Sequence, residues 1–85
     1  MNLVPSAHFI RDLHKLERGN SRLKEAVRKK LYQLRINPAY PSLRLHKIKG
    51  ENTYSLSVTM GIRIIFSRLG DDVYLLRIGS HEEVY

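Results

Sequence analysis

The hydrophobic period of this chain changes near its middle, and that change constrains the fold more than any other feature. In the first half, Phe9, Leu13 and Leu16 recur at the i, i+4, i+7 spacing of one helix face. From residue 54 onward, apolar side chains instead occupy alternate positions, which is typical of half-buried strands. The sequence therefore predicts an α+β fold, in which an antiparallel helical hairpin packs on an antiparallel sheet.

Turn and capping residues divide the chain into these elements. Ser6 can cap the first helix and Gly19-Asn20 ends it, while the second helix runs from about Ser21 to Asn37-Pro38, where proline stops the hydrogen-bond ladder. A four-stranded antiparallel β-meander is predicted over roughly residues 43–49, 54–59, 62–67 and 73–78, with a short N-terminal edge strand at residues 2–4. A chain of 85 residues suits a single domain, which we place at 1–85.

The alternation also assigns the strand residues to the two faces of the sheet. The side chains expected to face the helices are Tyr54, Leu56, Val58, Ile62, Ile64, Phe66, Tyr74, Leu76 and Ile78. Those expected on the opposite face are Ser55, Ser57, Arg63, Ser67 and Arg77. Small polar groups around two guanidiniums are typical of a surface that binds anions, so we expect this open face to do so.

The charge balance indicates a polyanionic partner. Fifteen Lys and Arg against eight Asp and Glu give a formal net charge of +7, and on so small a surface this attracts nucleic acid. Charge alone is also compatible with a basic but otherwise ordinary soluble protein. No apolar run approaches the roughly 20 residues that cross a bilayer, and a signal peptide's basic start is missing. We therefore expect a cytoplasmic protein with no membrane partner.

Several kinds of site are missing from the sequence. The chain has no cysteine, which excludes disulfides, thiolate zinc sites and cysteine nucleophiles. It contains no glycine-rich nucleotide loop, and His81-Glu82 begins a zincin motif in which Tyr85 replaces the second histidine. We expect no cofactor and no metal. Cleavage of RNA by its own 2′-hydroxyl remains compatible, because it needs only proton-transfer groups and cations.

Segments spread over essentially the whole chain resemble one toxin family. They are LHKIKG at residues 45–50, an aromatic-led strand from Tyr54, RIIF at residues 63–66 and IGSHEEVY at residues 78–85. In this order and strand context they resemble the RelE/ParE superfamily of type II toxins, with its YafQ-like, RelE-like and YoeB-like members. The resemblance implies a ribosome-dependent endoribonuclease that cuts mRNA in the ribosomal A site. It also implies contacts with ribosomal RNA and a cognate antitoxin with an acidic segment.

The resemblance further implies roles for individual residues. His81 would be the general acid that protonates the leaving 5′-oxygen, and Arg63 would hold the scissile phosphate. Tyr85 would stack on a base or orient the sugar-phosphate, and His46 would be a second proton-transfer or phosphate-contact group. Further contacts with RNA phosphates would come from Arg44, Lys47, Lys49 and Arg77.

The general base stays open among His46, Glu82 and a water molecule. The polar face shows no obvious carboxylate for this role, and Ser55 and Ser57 stand where RelE has lysines. Arg63 has a plainer alternative as the ion-pair partner of Glu82 or Glu83. Two other functions also remain open: a ParE-like inhibitor of DNA gyrase, and a catalytically inactive relative that binds nucleic acid or antitoxin.

Overall fold

The computed structural model describes residues 1–50 and 52–84, and within these ranges the side chains of Lys49, His81 and Glu83 are outside the description. The order of elements is β1 (Asn2–Pro5), α1 (Ala7–Glu17), α2 (Ser21–Ile36), a 3₁₀ turn (Pro41–Leu43), β2 (His46–Lys49), β3 (Thr53–Ser57), β4 (Ile62–Leu69), β5 (Asp72–Ser80) and α3 (His81–Val84). This order confirms the predicted α+β fold. No helix in the described part of the chain is long and apolar enough to cross a membrane.

The sheet contains one strand pair that the predicted meander did not include. Its order is β1-β5-β4-β3-β2, and the pairs from β2 to β5 are antiparallel, as expected. The N-terminal strand β1 lies at the edge of the sheet opposite β2 and runs parallel to β5, from Asn2 beside Asp72 to Pro5 beside Leu75. The sheet is therefore five-stranded and mixed.

Side-chain caps begin both long helices. The Ser6 hydroxyl accepts a hydrogen bond from the Phe9 N–H at 3.0 Å and donates one to the Leu76 carbonyl at 3.1 Å, which fastens the start of α1 to β5. The Asn20 side chain accepts from the Leu23 N–H at 3.1 Å and caps α2. Asn37 ends α2, as the sequence predicted.

The core lies between the helical hairpin and one face of the sheet. Phe9, Val27 and Leu34 contribute from the helices, and Leu56, Ile64, Phe66, Val73, Leu75 and Ile78 contribute from the sheet. The rings of Tyr54 and Phe66 stack with their centroids 5.6 Å apart. The core residues of β3 and β4 are those predicted to face the helices, so the face assignment of both strands is confirmed.

A β-bulge makes the face assignment of β5 partly wrong. The register pairs Ile65 with Arg77 but Phe66 with Leu75, so one extra residue of β5 is accommodated there. Beyond the bulge the alternation is reversed, and Val73 and Leu75 join the core in place of the predicted Tyr74 and Leu76. Those two side chains are half-buried and lie on the opposite face.

The strand before β3 is shorter than predicted. Leu43 belongs to the 3₁₀ turn, where its side chain is fully buried in the core, and β2 begins only at His46. A chain that inserts Leu43 into the core must turn before it can pair with β3. Arg44 makes this turn in a left-handed conformation, with φ 47° and ψ 54°.

Candidate functional site

Arg63 lies on the sheet face opposite the core and is held there by two oxygen atoms. It occupies β4, where its backbone neighbours are Ser57 on β3 and Gly79 on β5. Its Nε donates to the Ser55 hydroxyl at 3.0 Å, and its Nη2 donates to the Arg44 carbonyl at 3.2 Å. Both acceptors are neutral, so neither cancels the charge of the guanidinium.

The Arg44 carbonyl reaches Arg63 because of the backbone conformation at Arg44. A positive φ is uncommon for a residue other than glycine, and Arg44 is the one such residue in the described part of the chain. Its own N–H donates to the Pro41 carbonyl at 3.1 Å and closes the 3₁₀ turn. The sequence placed Arg44 among the phosphate contacts through its side chain, whereas the role of its carbonyl was missed.

His46 lies one strand away from Ser55 on the same face. The two residues are directly opposite each other in the pairing of β2 with β3, which places their Cβ atoms about 5 Å apart. The His46 side chain is exposed. The structure therefore gathers three of the predicted residues, Arg63, His46 and Arg44, around the buried hydroxyl of Ser55.

The structure does not place either of the two predicted lysines of β2 beside Arg63 as it does His46. Lys47 pairs with Tyr54, whose ring belongs to the core side of the sheet, so Lys47 belongs to that side as well. Lys49 pairs with Thr53 through the backbone after an irregularity in the strand, and its side chain lies outside the described atoms. Lys47 is therefore separated from Arg63 by the sheet.

Arg77 lies on the same face as Arg63 but has a charged partner. Its Nε donates to Asp12 Oδ2 at 3.2 Å and its Nη2 donates to Asp12 Oδ1 at 3.4 Å. The Ile78 N–H also donates to Asp12 Oδ2, at 3.2 Å, and the His8 Nε2 lies 3.9 Å from Oδ1. This carboxylate of α1 therefore binds the edge of β5 beyond the end of β1.

The surroundings of Asp12 favour its ionised form. Burial by itself would raise the pKa of the carboxyl, but the hydrogen bonds from Arg77 and Ile78 and the charge of Arg77 outweigh that effect. The pKa of Asp12 is consequently lowered from its ordinary value of 3.8. Sequence reasoning missed this residue, although Asp12 stands three residues after Phe9 and four before Leu16, within the apolar stripe of α1. A carboxylate at such a position indicates a cationic or hydrogen-bonding partner nearby.

The polar face is not as open as predicted. Ser55 is fully buried, and Ile65 is 6% exposed although it lies outside the core cluster and on the Arg63 side of the sheet. Half-buried Tyr74 and Leu76 share that side because of the bulge in β5. The face thus has a polar half around Arg63 and a more apolar half along β5.

The predicted catalytic residues at the C-terminus are placed only in part. His81 begins α3 directly after β5, and α3 contacts both β4 and β5. The backbone of Gly79, two residues before His81, pairs with Arg63, so the chain arrives at His81 beside the guanidinium-bearing strand. The His81 side chain and the whole of Tyr85 lie outside the described atoms. Among the described residues, no three His, Cys, Asp or Glu side chains are grouped so that they could hold a metal ion.

Known structures share this fold over nearly the full chain. A copper-bound mutant toxin from Helicobacter pylori is 23% identical with a TM-score of 0.85, covering 100% of this chain and 99% of that chain. A YoeB/ParE toxin from Agrobacterium tumefaciens is 19% identical with a TM-score of 0.80, covering 95% and 99%. A chain of the Escherichia coli DinJ–YafQ toxin–antitoxin complex is 15% identical with a TM-score of 0.82, covering 99% and 96%. At these identities the likeness establishes the fold.

The family follows from the sequence itself. No curated protein sequence matches the chain significantly. Residues 3–85, however, match the family described as the ParE toxin of the type II toxin–antitoxin system parDE, which confirms the resemblance to the RelE/ParE superfamily. The chain therefore belongs to the ParE toxin family of type II toxin–antitoxin systems.

Proposed function

We propose that this toxin is a ribosome-dependent endoribonuclease that cleaves mRNA in the A site without a metal ion. The observation that carries the proposal is the setting of Arg63, whose guanidinium is held by neutral acceptors on a face that also carries His46. A positioned guanidinium whose partners among the described residues are neutral suits the extra negative charge that develops on a phosphate during attack by the 2′-hydroxyl. The proposed substrate places this activity in the cytoplasm, and residues 1–85 act as a single domain.

Proton transfer in this reaction is assigned to histidines. His81 is the proposed general acid for the leaving 5′-oxygen, since it follows β5 directly at the end nearest Arg63. For the base, His46 and Glu82 are both exposed and remain candidates, beside a water molecule. Asp12 is a poor base because Arg77 and the Ile78 N–H occupy its oxygens and lower its pKa.

Other basic residues contribute affinity in this proposal. The side chains of Arg44, Lys47, Lys49 and Arg77 contact RNA phosphates in the mRNA or the ribosome, and Tyr85 stacks on a base. Phosphate contacts of this kind position the substrate without reading its sequence. Lys47 belongs to the core side of the sheet, so its contact is with ribosomal RNA and not with the scissile phosphate.

The proposed protein partner is a cognate antitoxin. The DinJ–YafQ structure, which shares this fold, is that of a toxin–antitoxin complex. The net charge of +7 favours an acidic antitoxin segment that covers basic surface of the toxin. An antitoxin bound over Arg63 would exclude RNA directly.

Expression of two histidine variants tests the proposed activity. Wild-type toxin, His81→Ala and the control His14→Ala are each induced in cells, and the 5′ ends of a reporter mRNA are mapped. The control removes an exposed histidine of α1. We expect growth arrest and codon-phased cleavage with wild type and His14→Ala, and neither with His81→Ala. Equal toxicity and cleavage in His81→Ala would exclude His81 as the general acid. Purified toxin with translating ribosomes then separates direct cleavage from cellular responses.

The family match favours one further candidate, inhibition of DNA gyrase. The matching family is named for ParE. A toxin that inhibits gyrase by binding to it requires no catalytic histidine. A gyrase inhibitor would induce the SOS response and block supercoiling by purified gyrase while reporter mRNA stays intact. That pattern, with His81→Ala as toxic as wild type, would replace the ribonuclease proposal.

A further inference from the structure

The Ser55 hydroxyl is a buried polar group whose position is matched to Arg63. Ser55 is 0% exposed, although it lies on the face of β3 opposite the core. A buried hydroxyl is costly unless it is hydrogen-bonded, and here it accepts from Arg63 Nε at 3.0 Å. The neighbouring hydroxyls on β3 serve other partners, since Ser57 donates to the Thr59 carbonyl and Thr53 bonds to Ser67.

The second contact of Arg63 fixes the plane of its guanidinium. With Nε bound to Ser55 and Nη2 bound to the Arg44 carbonyl at 3.2 Å, rotation about the last side-chain bonds is restricted. An arginine has five N–H donors in a rigid fork, and these two contacts, which are those made with described residues, leave the Nη1 side for a ligand. Such preorganisation lowers the entropy lost when an anion binds.

We propose that Ser55 is a positioning residue that, together with the Arg44 carbonyl, orients the Arg63 guanidinium toward a phosphate. The inference rests on the proposed function for its catalytic consequence, but the orientation itself is a property of the protein alone. Because a hydroxyl and a carbonyl are neutral, they restrict the cation without weakening its attraction for phosphate. An ionised partner would also restrict the cation, but it would weaken the attraction of the cation for phosphate.

The orientation is tested by NMR on the Arg63 Nε–H group, which is observable in ¹⁵N-labelled protein. In wild type we expect a distinct Arg63 signal with slow solvent exchange, and a shift of that signal on titration with inorganic phosphate. Ser55→Ala removes the acceptor, so exchange at Nε is expected to quicken about tenfold or more. The phosphate-induced shift is expected to weaken in the same variant. Thr53→Val removes a different β3 hydroxyl and is expected to leave the Arg63 signal unchanged.

The catalytic consequence is measured by cleavage on translating ribosomes. Ser55→Ala is expected to lower kcat about tenfold or more with little change in the concentration for half-saturation, because misorientation weakens the transition state more than binding. Ser55→Thr restores an acceptor and is expected to recover most of the rate. Should Ser55→Ala fail to fold, Ser55→Cys gives a nearly isosteric residue with a weak acceptor.

The two readouts separate failure of this inference from failure of the proposed function. Unchanged Nε exchange and an unchanged phosphate-induced shift in Ser55→Ala would overturn the positioning role, whatever the cleavage result. Altered exchange and a weakened phosphate shift in Ser55→Ala, together with a wild type that never cleaves RNA, would support the positioning of Arg63 and reject the ribonuclease.

Discussion

Arg63 and Arg77 share one face of the sheet on neighbouring strands, yet they are held in opposite ways. Arg63 donates to a hydroxyl and a backbone carbonyl, both neutral. Arg77 donates to both oxygens of Asp12, an ionised carboxylate from α1. Within the described part of the chain, the same residue type is thus a restrained cation with neutral partners in one place and half of an ion pair in the other.

The difference separates recognition from stability. The two neutral partners of Arg63 give little net stabilisation, and they do not offset the positive potential of its guanidinium. The pair of Arg77 with Asp12 has a smaller field outside the protein, while Asp12 ties α1 to β5 beyond the end of β1 and satisfies the Ile78 N–H. We expect the two arginines to differ accordingly in activity and in stability.

The largest expected effect separates the two arginines by activity. Arg63→Gln is expected to lower single-turnover cleavage on ribosomes about a hundredfold or more, because it removes a charge aimed at the transition state. Arg77→Gln is expected to lower it only about tenfold or less, because Asp12 already offsets that charge. Equal losses in the two variants, at temperatures where both are folded by circular dichroism, would contradict this division.

The fold could be predicted from the sequence because its signals are local. The change of hydrophobic period, the Ser6 cap and the stop at Asn37-Pro38 all act within a few residues. The bulge in β5 could not be predicted, since residues 73–76 are Val, Tyr, Leu and Leu, and either alternation places apolar side chains in the core. The choice between them depends on packing in a core that includes residues distant in sequence, such as Leu34 and Leu43.

The site was predictable only where one strand determines it. Alternation along β4 correctly places Arg63 on the face opposite the core. The contacts that distinguish Arg63 from Arg77 come from other elements, namely the Arg44 carbonyl after the 3₁₀ turn and the Asp12 carboxylate of α1. Their approach depends on how the helices and the turn pack on the sheet, which no local pattern in this sequence reports.

Stability provides the next comparison. Asp12→Asn removes the charge that binds Arg77, and hydrogen bonds to charged groups suggest a loss of about 1.5–3 kcal/mol in the free energy of unfolding at pH 7. Glu25→Gln removes the exposed i, i+3 partner of Arg28 at 3.7 Å and is the matched control. Its expected change is within about 0.5 kcal/mol. Urea unfolding measures both, and equal changes would show that the Asp12 pair contributes no more than a surface pair.

The pH dependence of stability follows from the lowered pKa of Asp12. A carboxyl whose pKa is lower in the folded state stabilises the protein above its unfolded pKa, and this contribution is lost as the pH falls through the folded value. The difference in unfolding free energy between wild type and Asp12→Asn is therefore expected to be constant from about pH 7 to 5 and to shrink below about pH 4. A difference that stays constant down to about pH 2 would contradict a lowered pKa of Asp12 in the folded protein.

The smallest expected effect concerns the backbone that serves Arg63. Arg44→Gly keeps the carbonyl and relieves the strain of the positive φ, which stabilises the folded protein by about 1–2 kcal/mol. Glycine's greater freedom in the unfolded chain destabilises it by roughly 0.5–1 kcal/mol. We expect a net gain of about 0.5 kcal/mol in urea unfolding, whereas Arg44→Val, which is β-branched, should lose about 1 kcal/mol or more. The left-handed turn also places the Arg44 carbonyl against Arg63. Arg44→Gly is therefore expected to retain the slow exchange of the Arg63 Nε–H, whereas Arg44→Val is expected to lose part of it. Lower stability in Arg44→Gly than in Arg44→Val would show that this turn does not require a positive φ.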